Sequence, residues 1–313
     1  MNFNLEHITY LLPKHLISRF IGILADSKIS WIKNTFIHFF IKKYHVNLNE
    51  AAITNPSDFK NFNDFFTRHL KKETRIITPG KNIIISPVDG AISQLGSIHK
   101  NKIIQAKKHD YSVGALLGSE NHFFENGKFI TVYLAPKDYH RIHMPFTGKL
   151  ISMRYIPGSL FSVNPRAAET IPGLFAKNER VVCLFETSIG KMAVVLVGAM
   201  IVASIHTVFA GLIAPNRSKK IIDHDYSTQN ILLNKGDELG HFQLGSTVIV
   251  LFENEKMHWE PSLSADSALQ MGELIGEFNI SDMKKAQGVW QHRNDLPDFD
   301  KMHLEFERIH DDK

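Results

Sequence analysis

A single cysteine among 313 residues has no partner within the chain, so a disulfide framework is excluded. That residue, Cys183, sits in the apolar run Val181-Val182-Cys183-Leu184-Phe185 and reads as a small core hydrophobe, in keeping with an intracellular setting. Zinc-finger spacings, a helix-turn-helix pattern and an arginine-rich tract are all missing, so nucleic acid is not an expected partner despite a net charge of +4. No internal repeat of useful strength is present. The first residues lack the layout of a cleavable signal, because Asn2, Asn4, Glu6 and His7 precede any apolar stretch and no small-residue cleavage site follows one. One charge-free stretch, residues 192–216, is long enough to raise the question of a membrane span. Its Val/Ile richness, its glycines Gly198 and Gly211, and its polar Ser204, His206 and Thr207 make it a pair of buried strands instead.

What is present is ordinary for a globular protein: 43% apolar and 22% charged residues, enough to bury a sizeable core. From Pro13 to about Tyr44 the spacing is helical. Leu16, Ile17, Phe20, Ile21 and Leu24 form one stripe and Ile29, Ile32, Phe36, Phe39 and Phe40 another, with Asp26 and Ser27 as break and N-cap. Lys14, Arg19, Lys28, Lys33, Lys42, Lys43 and Trp31 interleave with these stripes. Such helices suit the headgroup layer of an anionic membrane or the protein's own core, and the pattern alone leaves both readings open.

Residues 57–70 read as a further short helix. After Pro79 the texture changes to short β-like runs punctuated by Gly and Pro: residues 83–85, 103–104, 129–133, 181–185, 194–197 and 248–252. The expected fold class is therefore α+β, a β-rich sandwich or barrel-like catalytic core with N-terminal amphipathic helices. Its expected divisions are a helical, membrane-associating region over 1–75, a catalytic domain over 76–280 and a charged tail over 281–313. Residues 215–230 read as a polar loop.

Three local patterns carry chemistry: Ser86-Pro87-Val88-Asp89-Gly90, Tyr139-His140-Arg141-Ile142-His143-Met144-Pro145, and Leu244-Gly245-Ser246-Thr247 leading into an apolar strand. Leu-Gly-Ser also occurs at 95–97 and 117–119, so the tripeptide alone says little. Together the patterns offer an Asp, a His and a Ser for nucleophilic catalysis, in which an imidazole takes the hydroxyl proton and a carboxylate orients the imidazole. A serine hydrolase using Ser246, His143 and Asp89 is one reading, although no Gly-x-Ser-x-Gly elbow surrounds Ser246. The other turns the serine inward. The Gly245 carbonyl lies directly before it and carries no side chain to obstruct attack, so Ser246 Oγ can convert that peptide bond into an ester. Removal of the Ser246 Cα proton then breaks the ester by elimination, and the dehydroalanine left behind hydrolyses to a pyruvoyl group with loss of ammonia. A pyruvoyl ketone forms a Schiff base with an amine and accepts the electrons left by departing carbon dioxide. A third reading is a β-rich carrier module, suggested by residues 86–90. It needs a modifiable Lys137 or His140 in a tight hairpin, and neither has clear flanking symmetry. The spacing of His140 and His143 would put both rings on one helical face, but no further ligand follows at a metalloprotease spacing, so no metal is expected.

These patterns, with Tyr10-Leu11-Leu12-Pro13, Phe62-Asn63-Asp64-Phe65-Phe66, Phe161-Ser162-Val163-Asn164 and Asn178-Glu179-Arg180, resemble the phosphatidylserine decarboxylase family in its bacterial, single-domain form, over roughly residues 8–280. The resemblance implies that Ser246 is the pyruvoyl precursor and that Asp89 and His143 complete its self-cleavage triad. It implies cleavage between Gly245 and Ser246 into a β chain of 1–245 and an α chain of 246–313. His140 then serves as acid or base near the substrate carboxylate, and Phe161, Ser162 and Asn164 line the substrate pocket. Phosphatidylserine and an anionic membrane surface are the implied partners, with αβ units pairing as a dimer. The implied location is peripheral, on the cytoplasmic face of the bacterial inner membrane. The 281–313 extension departs from the family pattern.

Overall fold

The computed structural model describes residues 22–106, 109–120, 122–199, 204–216, 218–243, 246–253 and 257–279. The stripe over residues 16–21, Gly245 and the 281–313 extension lie outside them.

The helical pattern does break at Asp26 and Ser27, and the second stripe forms α1, Ser30–Tyr44. Ser27 is not its cap. The Ser27 hydroxyl accepts from Ile29 N at 3.4 Å, so it is spent before the helix begins, and Ile29 stands at the cap position with no side-chain bond. The helix ends at His45 in the left-handed conformation, φ 57°, with Lys42 and Lys43 in the last turn facing the helix's negative end. The helix expected over 57–70 shrinks to a 3₁₀ turn, Pro56–Asp58, and α2, Phe62–Phe66. Asn61 caps α2 by accepting from Asp64 N at 2.8 Å. Thr67 closes the helix, its N–H donating to Asn63 O at 2.9 Å, and its carbonyl accepts from Arg141 Nε at 2.9 Å. Ala25, Ile37, Phe40, Phe59, Phe62, Phe65 and Phe66 form an aromatic-rich core between these elements, with the Phe36 and Phe62 rings stacked at 4.2 Å.

The strands that follow are β1 (Ile83–Ile85), β2 (Gly90–Ser97), β3 (Lys102–Ala106), β4 (His109–Ser112), β5 (Lys128–Leu134) and β6 (Arg141–His143). Next come β7 (Gly148–Ile156), β8 (Arg180–Thr187), β9 (Gly190–Gly198), β10 (Ser204–Thr207), β11 (Gly211–Ala214) and β12 (Ile222–Asp225). The last are β13 (Leu232–Leu233), β14 (Glu238–Gln243), β15 (Ser246–Phe252), β16 (Met257–Trp259), β17 (Ala268–Leu269) and β18 (Leu274–Phe278). Three short helices, α3 (Val113–Leu117), α4 (Pro165–Thr170) and α5 (Leu174–Lys177), lie among them.

A nine-stranded antiparallel sheet runs β12-β7-β8-β9-β15-β5-β2-β17, with β13 also on β7. Side chains alternate across it. In β15, Val248, Val250 and Phe252 enter one core, and Ile249 and Leu251 enter the other. The first core is closed by a four-stranded sheet, β11-β10-β14-β6, which contributes Ile142, Ile205, Ala214, Leu239 and Phe242, and by a three-stranded sheet, β1-β18-β16. The second is closed by the β3–β4 pair and α3 to α5, through Ile103, Val113, Leu116, Ala168, Leu174 and Phe175. The molecule is thus α+β with a sandwiched, unclosed sheet. Cys183 is buried in the first core, as its apolar flanks suggest.

The charge-free stretch does form strands, but among them only its part of β9, residues 192–198, is buried throughout; β11 is exposed over Gly211 and Leu212. Residues 215–230 are not simply a loop. They contain β12, the sheet's edge, whose Asp223, His224 and Asp225 are all exposed and need no apolar character.

Candidate active site

Ser246 opens β15, a central strand. It pairs with Leu134 at the end of β5 on one side and with Gly198 at the end of β9 on the other. The strand's alternation puts Ser246 on the same face as Val248, toward the four-stranded sheet. The residue is fully buried and its Oγ has no hydrogen-bond partner. Buried hydroxyls are nearly always paired, so an orphan at a strand end calls for an explanation. Next to it, Gly198 supplies no side chain. A Cβ there would lie 3.3 Å from Glu179 O and 3.9 Å from the Leu160 and Ile205 side chains.

The chain that leaves β5 after Leu134 folds back through Tyr139 and His140 into β6. Asp138 organises this turn by accepting from Ala135 N at 2.7 Å, and burial pushes its carboxyl above the usual range. His140 is wholly buried, its ring 4.1 Å from that of Phe66 in α2, and its Nε2 lies 3.0 Å from Ala135 O. A carbonyl only accepts, so Nε2 carries the proton and Nδ1 is left as an unpartnered lone pair. Burial, reinforced by nearby Arg68, lowers the His140 pKa to about 3 and keeps the ring neutral. His140 and His143 do not share a helical face, because residues 141–143 are strand and not helix.

His143 lies on the face of β6 opposite buried Ile142. Its Nδ1 donates to Gly236 O at 2.8 Å, and its Nε2 accepts from the Tyr139 hydroxyl at 3.1 Å. Burial lowers its pKa, with a smaller opposing contribution from the Gly236 carbonyl. Both nitrogens are therefore engaged, and neither is bonded to Asp89 or Ser246.

Asp89, at the head of β2, is instead held by Arg75: Nε to Oδ1 at 2.9 Å and Nη2 to Oδ2 at 2.5 Å. Met271 N also donates to Oδ1 at 2.8 Å. The glycine after Asp89 is required by the close approach of two strands, since a Cβ on Gly90 would meet Tyr133 O at 2.3 Å. Because β2, β5 and β15 are consecutive, spaced by ~4.8 Å per strand, Asp89 and Ser246 approach the same end of the sheet. His143 N donates to Pro87 O at 2.8 Å, so β6 lies against the loop that carries Asp89.

The Phe161-Ser162-Val163-Asn164 segment is tied to this end by Asn178. Its Oδ1 accepts from Phe161 N at 3.1 Å, and its Nδ2 donates to both Phe161 O and Gly198 O at 2.9 Å. Phe161 is buried and Ser162 half-buried. Asn164 is exposed and caps α4 through Ala167 N at 2.9 Å. The structure therefore brings Ser246, His140 and Phe161 to one end of the sandwich, with Asp89 and His143 bordering it and Asn164 occupied in a helix cap. Reading the sequence missed Arg75 and Arg68 and gave no role to Tyr139 or Asn178 within their motifs; Tyr139 meets His143 four residues on, whereas the partners of the other three lie far away in the chain or are backbone atoms. Among the described residues, no group of three or more His, Cys, Asp or Glu is placed to hold a metal ion.

The profile of the family described as phosphatidylserine decarboxylase matches residues 62–277, and one described as PSD matches residues 8–45. Among curated proteins, the phosphatidylserine decarboxylase proenzyme of Psychromonas ingrahamii is 52% identical over 85% of this chain and 94% of its own length. Those of Alcanivorax borkumensis and Pseudomonas putida are 50% and 52% identical, over 87% and 86% of this chain and 94% and 95% of theirs.

Proposed function

The chain belongs to the phosphatidylserine decarboxylase family, and from that premise we propose that it converts phosphatidylserine to phosphatidylethanolamine and carbon dioxide after cutting itself between Gly245 and Ser246. The relatives are named as proenzymes, which fits a chain that is processed in two. The observation that carries the reading is the buried Ser246 hydroxyl, unpartnered at the head of a central strand. An external ester would need a route to it, whereas the Gly245 carbonyl is its neighbour in the chain.

In the proposed cut, Ser246 Oγ loses its proton to a base, bonds to the Gly245 carbonyl carbon and releases the Ser246 nitrogen, replacing an amide by an ester. Loss of the Ser246 Cα proton then expels Gly245 as a carboxylate, and water replaces the nitrogen of the resulting enamine, releasing ammonia. His143 already carries its proton on Nδ1, so Nε2 is its basic nitrogen once the Tyr139 hydroxyl gives way. Asp89, a buried carboxylate beside this histidine, favours the imidazolium that forms. A pyruvoyl group formed from Ser246 would be flanked by Leu134 and side-chain-free Gly198, and its ketone would supply an electron sink for the amine-bearing carbon that loses carbon dioxide. His140, neutral and with a bare Nδ1, takes the acid or base role nearest that position, and Phe161 and Ser162 border the substrate.

The same reading makes the attachment peripheral, on the cytoplasmic face of the inner membrane. Exposed Ile23, Ile29, Trp31 and Phe39 stand beside Lys28, Lys42 and Lys43, a combination suited to an anionic headgroup layer. Among the described residues, no helix is long and apolar enough to cross a membrane.

The test is an intact mass spectrum under denaturing conditions. Two masses, for residues 1–245 and for 246–313 blocked by a pyruvoyl group, are expected, with carbon dioxide released from phosphatidylserine. A single unmodified full-length mass that persists with lipid present would overturn the reading.

A further inference from the structure

The carboxylate assigned to the self-cleavage machinery is held by a cation rather than by a histidine. Arg75 presents Nε and Nη2 to the two oxygens of Asp89, a planar fork on a planar carboxylate, and the same Nη2 donates to Glu50 Oε2 at 2.9 Å. The side chains of Arg75 and Asp89 are each 9% exposed and that of Glu50 is 34% exposed. The hydrogen bond to Asp89 is the largest influence on the Arg75 guanidinium and holds its pKa above the ordinary value.

Glu50 belongs to the N-terminal region. Its carbonyl accepts from Lys71 N at 2.9 Å, Ala51 bridges to Leu70, and the segment follows directly from α1. The chain Glu50, Arg75, Asp89 therefore runs from the helical region to the head of β2. A second strut runs parallel to it: Arg68 Nη2 donates to Lys137 O at 2.8 Å and Asp138 O at 3.2 Å, in the turn that carries His140. A lysine ammonium or a water cannot reproduce the two-point hold, because only the guanidinium fixes both the distance and the plane of the carboxylate.

We propose that Arg75 is a positioning residue for self-cleavage: it fixes the Asp89 carboxylate at the sheet end and, through Glu50, makes that placement depend on docking of the N-terminal helical region. This rests on the self-cleavage reading above. The hydrogen bonds of Arg75 go to Asp89, Glu50 and Thr74 O and not to Ser246, so it acts through Asp89.

In the full-length chain, Arg75→Gln is expected to slow the appearance of the two fragments by at least about tenfold, with the circular dichroism of a folded protein retained. Millimolar guanidinium added to that variant restores part of the rate, and Arg75→Lys falls between the two. Glu50→Gln, at a half-exposed site that tolerates substitution, slows cutting by a few-fold and decides the matter if Arg75→Gln does not fold. A second readout does not require cutting. In a Ser246→Ala background, the His143 ring titration followed by NMR moves upward when Arg75 is replaced, because the Asp89 charge is then unbalanced. Normal cutting in Arg75→Gln and Glu50→Gln, or slow cutting indifferent to guanidinium together with an unmoved His143 titration, overturns the proposal. If the parent chain is never cut, the self-cleavage reading fails while the titration still decides whether Arg75 governs Asp89.

Discussion

Ser246 is a polar residue where a central strand ordinarily places valine or isoleucine, and its hydroxyl has no partner in the fold. Replacing it by alanine removes the nucleophile and no hydrogen bond. Ser246→Ala should therefore fold, remain one full-length polypeptide in a mass spectrum and release no carbon dioxide from phosphatidylserine. The two histidines separate by a pair of substitutions: His143→Ala stalls maturation, whereas His140→Ala permits cutting more readily than decarboxylation. The reverse pattern on a denaturing gel would show their roles exchanged. His140 also sets a pH dependence. Its pKa falls from 6.5 unfolded to about 3 folded, so between those values the unfolded chain binds the extra proton. Stability is thus complete above about pH 6.5 and declines as pH falls toward 3, by on the order of a few kcal/mol from this group. Replacing His140 by phenylalanine, which keeps the stack on Phe66, should flatten the fall in melting temperature between pH 6.5 and 4.5. Serine, aspartate and histidine could be put forward from the sequence because their chemistry is intrinsic. Arg75 was not, because a lysine- and arginine-bearing stretch before a proline gives no sign of which cation the fold turns inward.

At the scale of elements, the strands read most fully were those flanked on both faces by core, while β1 and β3 were read from short Ile runs although they lie outside the large sheet. Residues 181–185, 194–197 and 248–252 are apolar without interruption, and 129–133 is so but for buried Thr131, because both sides of the nine-stranded sheet are covered. The edge strand β12 escaped for the converse reason, since three of its four residues are exposed and look like those of a loop. The position of the 159–164 segment was also unreadable, because it depends on one side chain bonding backbone atoms of two distant elements. That dependence is testable. Asn178→Ala removes the three hydrogen bonds that Asn178 makes with Phe161 N, Phe161 O and Gly198 O, and should destabilise the chain by about 2–4 kcal/mol in a urea titration. Activity should fall further than stability explains, because Gly198 flanks Ser246 and Phe161 borders the same end of the sheet.

At the scale of the whole molecule, the N-terminal helices pack an aromatic core of their own and expose another apolar set. Trp31 is 73% exposed. If roughly 60 Å² of its ring enters the headgroup layer, at about 25 cal/mol per Å² the contribution is ~1.5 kcal/mol, or on the order of tenfold in partitioning. Trp31→Ser should weaken binding to anionic vesicles by about that factor in a flotation assay, and raising the salt should weaken both proteins.

The placement of β15 has a consequence for the molecule's history. All seven residues of this strand are paired on both sides, to β5 and to β9, while β17 and β18 pair with β2 and β1. A cut before Ser246 therefore leaves two polypeptides sharing one sheet, which became interleaved while they were still a single thread. On the proposed cleavage, the mature particle would be a memory of that thread. Once denatured, its pieces must find each other by diffusion and insert a central strand between two others, a route the uncut chain never had to take. Processed protein diluted from urea should accordingly recover little native signal, whereas uncut Ser246→Ala recovers most of it. The working lifetime of the processed form is then governed by how fast it opens, not by how favourable closing is.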